Sequence, residues 1–265
     1  MQNSFDNLEK IIKKKCKGAP VYYLSNPGNW GDGLIRHGTL KFFKKIDLDF
    51  KELSFKELID LDSTKNSKSW FSLFRKKATV IYGGGGAWCK LWNHSVGYVS
   101  KLQGKYNVIV LPSTYESIYT IPDTIFFTRD KFESKQNMPQ ATFCHDMAFH
   151  IGDDFVSEEK GEGEGYFFRT DKESANQINL PLRNHDISLD GNHFSDVSSF
   201  FESIDKFSTI YTDRLHVSIA ASLLGKKVHL YPGSYFKNRA VYLSSLKDYF
   251  DDVVFHEDLK ELTHR

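Results

Sequence analysis

The sequence is short of cysteine, and the three it has, Cys16, Cys89 and Cys144, are odd in number and widely spaced. This pattern excludes a disulfide framework and a cysteine-based metal site, and it is typical of a reducing cytosol. A long apolar run is also missing from the N-terminus. We therefore expect no secretory signal and no transmembrane helix, and we predict a cytoplasmic location without a bound metal.

An excess of positive charge is missing as well. Lys and Arg number 35 against 34 for Asp and Glu, which argues against a dedicated nucleic-acid-binding protein. The one basic run, Lys10 to Lys17, is best interpreted as the solvated face of a helix over residues 5–17. The alternative is peripheral contact with the anionic inner face of a membrane, because clustered lysines each strengthen such binding a little.

Short apolar runs closed by turn-forming residues are present along the whole chain. They cover residues 21–24, 78–82, 108–111, 124–128, 165–169, 208–212 and 227–231. These runs are too short for confident helices, and they are typical of strands in parallel sheets. Helices are predicted at residues 34–45 and 216–224, the second ended by Gly225 as a C-terminal cap.

One segment, residues 151–165, interrupts this pattern. It is acidic, rich in glycine and poor in apolar residues, as expected for an inter-domain linker. The sequence therefore predicts an α/β fold with an N-terminal domain over residues 1–150 and a C-terminal domain over 166–265. The two domains would face each other across a cleft, which is where ligands commonly bind.

The first glycine-containing loop runs from Asn26 to Asp32, between a predicted strand and a predicted helix. Its glycines allow close backbone approach to a ligand, and the helix N-terminus offers free N–H groups. Asn29 and Asp32 are therefore candidate ligand contacts. A tight strand-to-helix turn with Asp32 as a helix cap explains the same residues equally well. The spacing is not that of a dinucleotide-binding loop.

The second such loop contains four consecutive glycines, Gly83 to Gly86. Four exceed what an ordinary turn needs, which favours a place where a ligand or a neighbouring loop approaches the backbone, with Gly84 and Gly85 as candidates. No Gly-Lys-Ser/Thr follows, so the run is not a P-loop.

Residues 212–216, Thr-Asp-Arg-Leu-His, lie where a predicted strand gives way to a predicted helix. Arg214 offers a planar fork that matches a carboxylate or a phosphate, and His216 can act as a general acid or base. An Arg paired with Asp213 or with another acid, and a His packed beneath the helix, are the structural alternatives. Both interpretations stay open on these residues alone.

Three further residues at strand ends or junctions are candidates. Arg169 ends the first strand of the predicted second domain and would join Arg214 and His216 at a ligand bearing both a carboxylate and a phosphate. Arg129, followed by Asp130, is more simply explained by a salt bridge that holds its loop together. Asp146 either contacts an acceptor or braces the domain junction.

These residues occur in an order that resembles the polysaccharide pyruvyltransferase family, over about residues 20–240. The resemblance rests on several short segments. They are Asn26 to Asp32, Gly83 to Gly86, Leu111-Pro112-Ser113, Thr128-Arg129-Asp130, Asp146-Met147-Ala148-Phe149 and Thr212 to His216. The chain departs from the family pattern in its lean second domain and in Ser113-Thr114, where a Gln-Ser pair is familiar.

The resemblance implies two Rossmann-like domains arranged as in GT-B glycosyltransferases. It implies transfer of pyruvate from phosphoenolpyruvate, as donor substrate with no separate cofactor, to a pair of sugar hydroxyls. The product would be a pyruvate ketal in capsular, exopolysaccharide or other cell-surface glycan biosynthesis, on a glycan or lipid-linked acceptor. By motif match, Arg169, Arg214, Leu215 and His216 are donor-binding positions. Arg214 and His216 are the catalytic pair, with His216 as the general acid.

The same match makes the C-terminal domain the phosphoenolpyruvate side and the N-terminal domain the acceptor side. Two rival functions remain. One is a GT-B-like glycosyltransferase that uses a nucleotide sugar and shares the cleft and the anion-binding loops. The other is a non-catalytic glycan-binding protein that has kept the fold.

Overall fold

The computed structural model describes residues 1–65, 76–157, 161–175 and 180–258. Its helices are α1 (Gln2–Cys16), α2 (Trp30–Lys45), α3 (Phe55–Lys65), α4 (His94–Leu102), α5 (Glu133–Asn137), α6 (Ser198–Asp205), α7 (Leu215–Leu223) and α8 (Lys237–Val241). Its strands are β1 (Val21–Leu24), β2 (Lys51–Glu52), β3 (Thr79–Tyr82), β4 (Gly85–Trp88), β5 (Asn107–Tyr115), β6 (Thr124–Thr128), β7 (Thr142–Phe143), β8 (Glu164–Phe167), β9 (Thr209–Thr212), β10 (Lys227–Leu230) and β11 (Val253–Phe255).

The first sheet has the order β2-β1-β3-β5-β6-β7, with the short strand β4 paired to β5, and all its pairs are parallel. Strands β1 and β3 are neighbours, but the chain leaves them towards opposite edges of the sheet. In open parallel sheets a crevice forms outside the carboxyl ends of two such strands, and ligands bind there. The loops after β1 and β3, which contain Asn26 to Asn29 and Gly83 to Gly86, lie at this point.

The second sheet has the order β11-β10-β9-β8 and is also fully parallel. Its strands follow the chain from one edge to the other, so it contains no reversal of its own. The segments that follow β8, β9 and β10 carry Arg169, Arg214 and Lys237. The α/β fold with parallel sheets is thus confirmed.

One apolar core serves both sheets. Phe42 and Ile35 on α2 belong to the same buried cluster as Phe200 on α6 and Ile219 on α7. The indole of Trp30 crosses from one side to the other, because its ring packs edge-on against Phe200 at 5.4 Å and its Nε1 donates to the carbonyl of Asp196. Packing therefore couples the carboxyl edge of one sheet to that of the other.

The segment predicted as a linker, residues 151–165, begins at the end of a 3₁₀ helix (Met147–Ile151) and ends inside β8. Its first half is packed against other elements: Phe155 stacks on Phe201 at 4.2 Å, and Asp154 accepts a hydrogen bond from Lys41 at 2.5 Å. Residues 158–160 of the predicted linker lie outside the described residues.

Helix α1 buries Phe5, Leu8, Ile12 and Cys16 on one face. Its lysines from Lys13 to Lys15 and the following Lys17 are exposed to solvent, and Lys13 pairs with Glu9 at 2.6 Å. This is the solvated face that the sequence favoured. Within the described ranges no helix combines the length and the apolar character needed to cross a membrane.

Two element boundaries differ from the sequence prediction by four residues each. Helix α2 begins at Trp30 and not at Leu34, because Asn29 caps it: the Asn29 side chain accepts from Gly31 N and the Asp32 carboxylate accepts from Asn29 N. Strand β5 continues through Pro112 to Tyr115, although the sequence placed its end at that proline. Its register with β6 shifts between Val110 and Ser113, and such an irregularity tolerates the missing proline N–H.

Gly38 on α2 lies close against the backbone of Met147 and generates a stability prediction. A Cβ at Gly38 would lie 2.0 Å from the carbonyl oxygen of Met147, whereas a Cβ at Gly97 on α4 would meet no atom within 4 Å. Gly38→Ala should lower the free energy of unfolding by about 2 kcal/mol or more, because the backbone of α2 or of Met147 must move to make room for the added methyl group. Gly97→Ala, the matched control, should raise it by about 0.5–1 kcal/mol through helix propensity. Urea denaturation measures both, and equal effects would show that α2 does not pack as described.

Candidate active site

A cavity of about 580 Å³ lies between the carboxyl ends of the two sheets. Its floor and walls come from both halves of the chain, since residues 26–32 and Gly86 face residues 169–173, 188–189 and 214–216. Its charged lining residues are Asp32, Arg129, Arg169, Asp171, Glu173, Arg214 and Lys237. The structure thus places Asn29, Asp32, Arg169, Arg214 and His216 around one cavity.

His216 is the second residue of α7 and lines the cavity. Its ring rests on α2: a Cβ at Gly31 would lie 2.5 Å from Nδ1, so only glycine leaves room for the imidazole. Its Nε2 lies 3.5 Å from Oδ2 of Asp146 and has no hydrogen-bond partner among the described residues. The ring is therefore held by packing against α2 and by a nearby buried carboxylate.

Asp146 is fully buried behind this histidine and does not line the cavity. Oδ2 accepts from Nη1 of Arg129 at 2.6 Å and Oδ1 accepts from the Ala148 N–H at 2.9 Å. Burial opposes its ionisation, but His216 and Arg129 outweigh that effect and hold the pKa of Asp146 well below its usual value. Of its two predicted roles, the structure supports bracing the junction and not acceptor contact.

Arg129 follows β6 and is 1% exposed. The sequence predicted a loop salt bridge for it; its partner is Asp146 and not the adjacent Asp130, whose Oδ1 instead accepts from the N–H groups of Phe132 and Ser134. Nε of Arg129 donates to Thr114, and Nη2 points towards Gly86, 3.8 Å from where a Cβ would stand. Arg129 is therefore a structural ion pair that also presents a charge to the cavity.

Arg169 and Arg214 follow β8 and β9 and are almost fully buried. Arg214 forms a two-pronged pair with Asp186, from Nε at 2.8 Å and from Nη2 at 2.6 Å, and its Nη2 also lies 3.0 Å from Asp171. Arg169 contacts Asp171 through Nε at 3.0 Å and donates to Glu173 through Nη1. The proposed pairing of Arg214 with Asp213 does not occur. The Asp213 carboxylate instead accepts from the backbone N–H of Arg169 at 2.7 Å.

The predicted glycine contacts divide into two kinds. Gly84 and Gly85 do not line the cavity: a Cβ on Gly84 would lie 2.4 Å from the Pro112 carbonyl oxygen, and Gly85 has a φ of +120° and lies beside Ile35 and Asp32. Their role is to let neighbouring backbone and side chains approach. Gly86 is the glycine of the run that borders the open space.

Asn29 and Asp32 cap helix α2 and also border the cavity. Oδ1 of Asp32 accepts from the Asn26 amide at 3.1 Å. Burial raises the pKa of Asp32, and the neighbouring His216 only partly offsets this rise. A carboxylate of raised pKa facing a cavity is equipped to accept a proton from a ligand hydroxyl.

Sequence reasoning missed several cavity residues. Lys237 at the start of α8 and Trp92 after β4 sit in segments without any motif, and only the fold brings them to the site. Asp171 and Glu173 had a usable signal, because two acids alternate with Arg169 along one loop.

Leu215, predicted as a donor contact, has a buried side chain, so only its backbone N–H is left to contact a ligand. Within the described part of the chain, no three His, Cys, Asp or Glu side chains are grouped as a metal site.

Comparison with known proteins now adds to this geometry. A model of the polysaccharide pyruvyl transferase family matches residues 29–235, which include the arginines and the histidine of the cavity. The chain belongs to the polysaccharide pyruvyl transferase family. No curated protein matches it. A solved structure from Klebsiella pneumoniae subsp. pneumoniae NTUH-K2044, described as a functional uncharacterized protein, KP1_0663, is 28% identical with a TM-score of 0.78. The match covers 97% of this chain and 100% of that one.

Asp213 generates a pH-dependent prediction. Burial raises the pKa of Asp213 to about 7, more than the Arg169 N–H and the charges of Arg169 and Arg214 lower it. The folded state therefore binds a proton that the unfolded chain releases near pH 4. Its contribution to stability is fully present below that pH and is lost as the pH rises towards 7.

Asp213→Asn keeps an oxygen for the Arg169 N–H but does not titrate. The free energy of unfolding of the variant, relative to that of the unsubstituted protein, should rise by a few kcal/mol between pH 4 and pH 7. Urea denaturation at intervals across that range measures the difference. A difference that stays constant, or that falls with pH, would contradict the raised pKa.

Proposed function

We propose that this chain transfers the pyruvyl group of phosphoenolpyruvate to two hydroxyls of a sugar and forms a pyruvate ketal in cell-surface glycan biosynthesis. The observation that carries the proposal is the cavity itself. One end concentrates arginines, a lysine and His216. In this proposal the two sheets belong to a GT-B-like pair of domains, with the donor held by the second and the acceptor by the first.

The donor end is suited to a ligand with a phosphate and a carboxylate. Helix α7 has no side-chain cap, and no acceptor among the described residues takes the N–H groups of Leu215, His216 and Val217. Free N–H groups and the helix dipole favour a phosphate at this N-terminus. Arg129 and Arg214 border the same region and add charge-assisted donors.

The reaction starts at the donor's double bond. His216 gives a proton to the methylene carbon, which becomes the methyl group, and the adjacent carbon becomes an oxocarbenium-like centre. A sugar hydroxyl adds to this centre and loses its proton. Inorganic phosphate then leaves with its bonding electron pair, and a second hydroxyl adds, loses its proton and closes the ketal. No electron is gained or lost overall.

Two carboxylates assist these steps in the proposal. Asp146 lies 3.5 Å from Nε2 of His216 and holds the orientation of the ring. Asp32 faces the cavity from α2, and burial raises its pKa, so it is the candidate base for a sugar hydroxyl. His216 and Asp32 both lie near the start of α2, because the His216 ring packs against Gly31 and Asp32 is the next residue of that helix.

The outer end of the cavity has a different lining. His94 and Tyr98 are aromatic lining residues there, and Leu189 is an apolar one. Aromatic faces with a few polar groups are typical of sugar sites. This end is the proposed place of the glycan or lipid-linked acceptor, with Asn29 and Asp32 nearest to the donor.

A histidine substitution tests the proposal. His216→Gln should leave the dissociation constant for phosphoenolpyruvate within a few-fold of its original value, because the cations remain. Turnover should fall about 10²–10⁴-fold, since the proton donor is lost. Calorimetry measures binding, and release of inorganic phosphate in the presence of a panel of glycan acceptors measures turnover.

His185→Gln, which replaces an exposed histidine outside the cavity, is the matched control and should keep full activity. Unchanged turnover in His216→Gln would remove this residue from the acid role. Transfer from a nucleotide sugar, without use of phosphoenolpyruvate, would favour the glycosyltransferase alternative. Binding of glycans with no turnover of either donor would favour the non-catalytic one.

A further inference from the structure

The carboxylate of Glu173 receives donors from three distant parts of the chain. Nη1 of Arg169 and Nζ of Lys237, at 2.5 Å, donate to Oε2, and Nε1 of Trp92 donates to Oε1 at 2.7 Å. Burial opposes its ionisation, but Lys237 and Arg169 hold the pKa of Glu173 far below its usual value. We call Arg169, Lys237 and Trp92 the Glu173 clamp.

The Glu173 clamp has the composition of a ligand site. A guanidinium, an ammonium and an indole N–H converge on one carboxylate, and all three residues line the cavity. Two of them follow strands of the second sheet and the third follows β4 of the first. Such a set of charge-assisted donors around an acidic group is what a free carboxylate ligand needs. Here an acidic side chain of the chain itself occupies it.

Charge balance requires the Glu173 carboxylate to move when an anionic donor binds. Each cavity cation already has a carboxylate partner: Arg129 has Asp146, Arg214 has Asp186, Arg169 has Asp171 and Glu173, and Lys237 has Glu173. A ligand with several negative charges would meet no uncompensated positive charge. Adding it to a buried site without displacing an acid is unfavourable.

Glu173 is the acid best placed to leave. Asp146 is buried and does not line the cavity, and neither does Asp186, which grips Arg214 with both oxygens. Asp171 holds Arg169 by Nε and Nη2, so that guanidinium keeps its orientation when Nη1 is released. Departure of the Glu173 side chain therefore frees an oriented arginine, a lysine and an indole N–H together.

We propose that the Glu173 clamp is the subsite for the donor's carboxylate and that Glu173 is its internal occupant, displaced when the donor binds. The identification of that donor rests on the proposed function. When the Glu173 side chain leaves, Arg169, Lys237 and Trp92 surround a space of the size of a carboxylate and offer it positively charged donors. The Glu173 clamp therefore selects a carboxylate over a second phosphate. The indole N–H of Trp92 then donates to the donor's carboxylate in place of that of Glu173, and Trp92 continues to line the cavity.

Replacement of Glu173 by Gln tests the occupancy. Glu173→Gln removes the charge that competes for Arg169 and Lys237 but keeps the side-chain size. The dissociation constants for phosphoenolpyruvate and for pyruvate should fall about ten-fold, because the subsite is no longer occupied by an anion. That for inorganic phosphate should change less than two-fold. Glu202→Gln, on the exposed face of α6, is the matched control and should change none of them.

Replacement of Lys237 by Gln tests the subsite from the other side. Lys237→Gln should raise the dissociation constants for phosphoenolpyruvate and pyruvate about ten-fold or more, while that for inorganic phosphate changes less than two-fold. A structural role for Lys237 would alter all three ligands alike. Calorimetry with each ligand on the full chain makes the comparison.

The outcomes separate this inference from the proposed function. Phosphoenolpyruvate bound equally by the original protein and by Glu173→Gln overturns the internal occupant but leaves the donor assignment standing. The predicted pattern with pyruvate, together with no binding of phosphoenolpyruvate, supports the carboxylate subsite and removes that donor. No carboxylate ligand bound by either protein overturns the subsite itself.

Discussion

Buried charge at the facing edges of two sheets is the constraint on which the site depends. Asp146 has almost no contact with solvent, yet it stays ionised because Arg129 and His216 stand on either side of it. Loss of one partner from a buried pair costs about 3–5 kcal/mol, so the three groups hold one another in place. The arginine comes from the first sheet and the histidine from the second. Their shared carboxylate therefore aligns the two halves of the cavity.

The same principle explains the rest of the cavity. Arg214 with Asp186, and Arg169 with Asp171 and Glu173, repeat the arrangement of a buried cation held by an acid that follows a strand or a turn. Such pairing fixes side-chain geometry before a ligand arrives, which is useful in catalysis. It also means that the charged side chains of the cavity compensate one another. Under the proposed displacement of Glu173 a donor replaces an internal acid, which would combine preorganisation with selectivity.

Much of the fold could be predicted from the sequence. The apolar runs that became β1, β3, β6, β9 and β10 are short, β-branched and closed by turn-forming residues, and strands of that kind depend on local pattern. The start of α2 was wrong by four residues because its cap is a reciprocal pair, Asn29 and Asp32, inside a loop rich in glycine. Strand β5 was ended too early at Pro112, since an irregular register that admits a proline has no sequence signature.

The site was less accessible to sequence analysis. Arg214 and His216 were singled out because a strand-to-helix turn can place residues two apart beside one cavity, and both line the same one. The partners of these residues could not be predicted, because Asp186 and Asp146 are far away in the chain and only tertiary packing brings them close. Lys237 and Trp92 carry no local signal for the same reason. Gly84 was predicted as a ligand contact, yet its missing Cβ makes room for the Pro112 carbonyl. A glycine run shows that space is needed, not what fills it.

The measurement that tests this account most directly is a crystal structure of the protein with phosphoenolpyruvate. The account predicts the phosphate at the N-terminus of α7 near Arg214. It predicts the carboxylate between Arg169 and Lys237 with the Glu173 side chain turned away, and the methylene carbon within reach of His216. Phosphoenolpyruvate bound elsewhere, or bound in the cavity with Glu173 still between Arg169 and Lys237 and His216 remote from the methylene carbon, would contradict it.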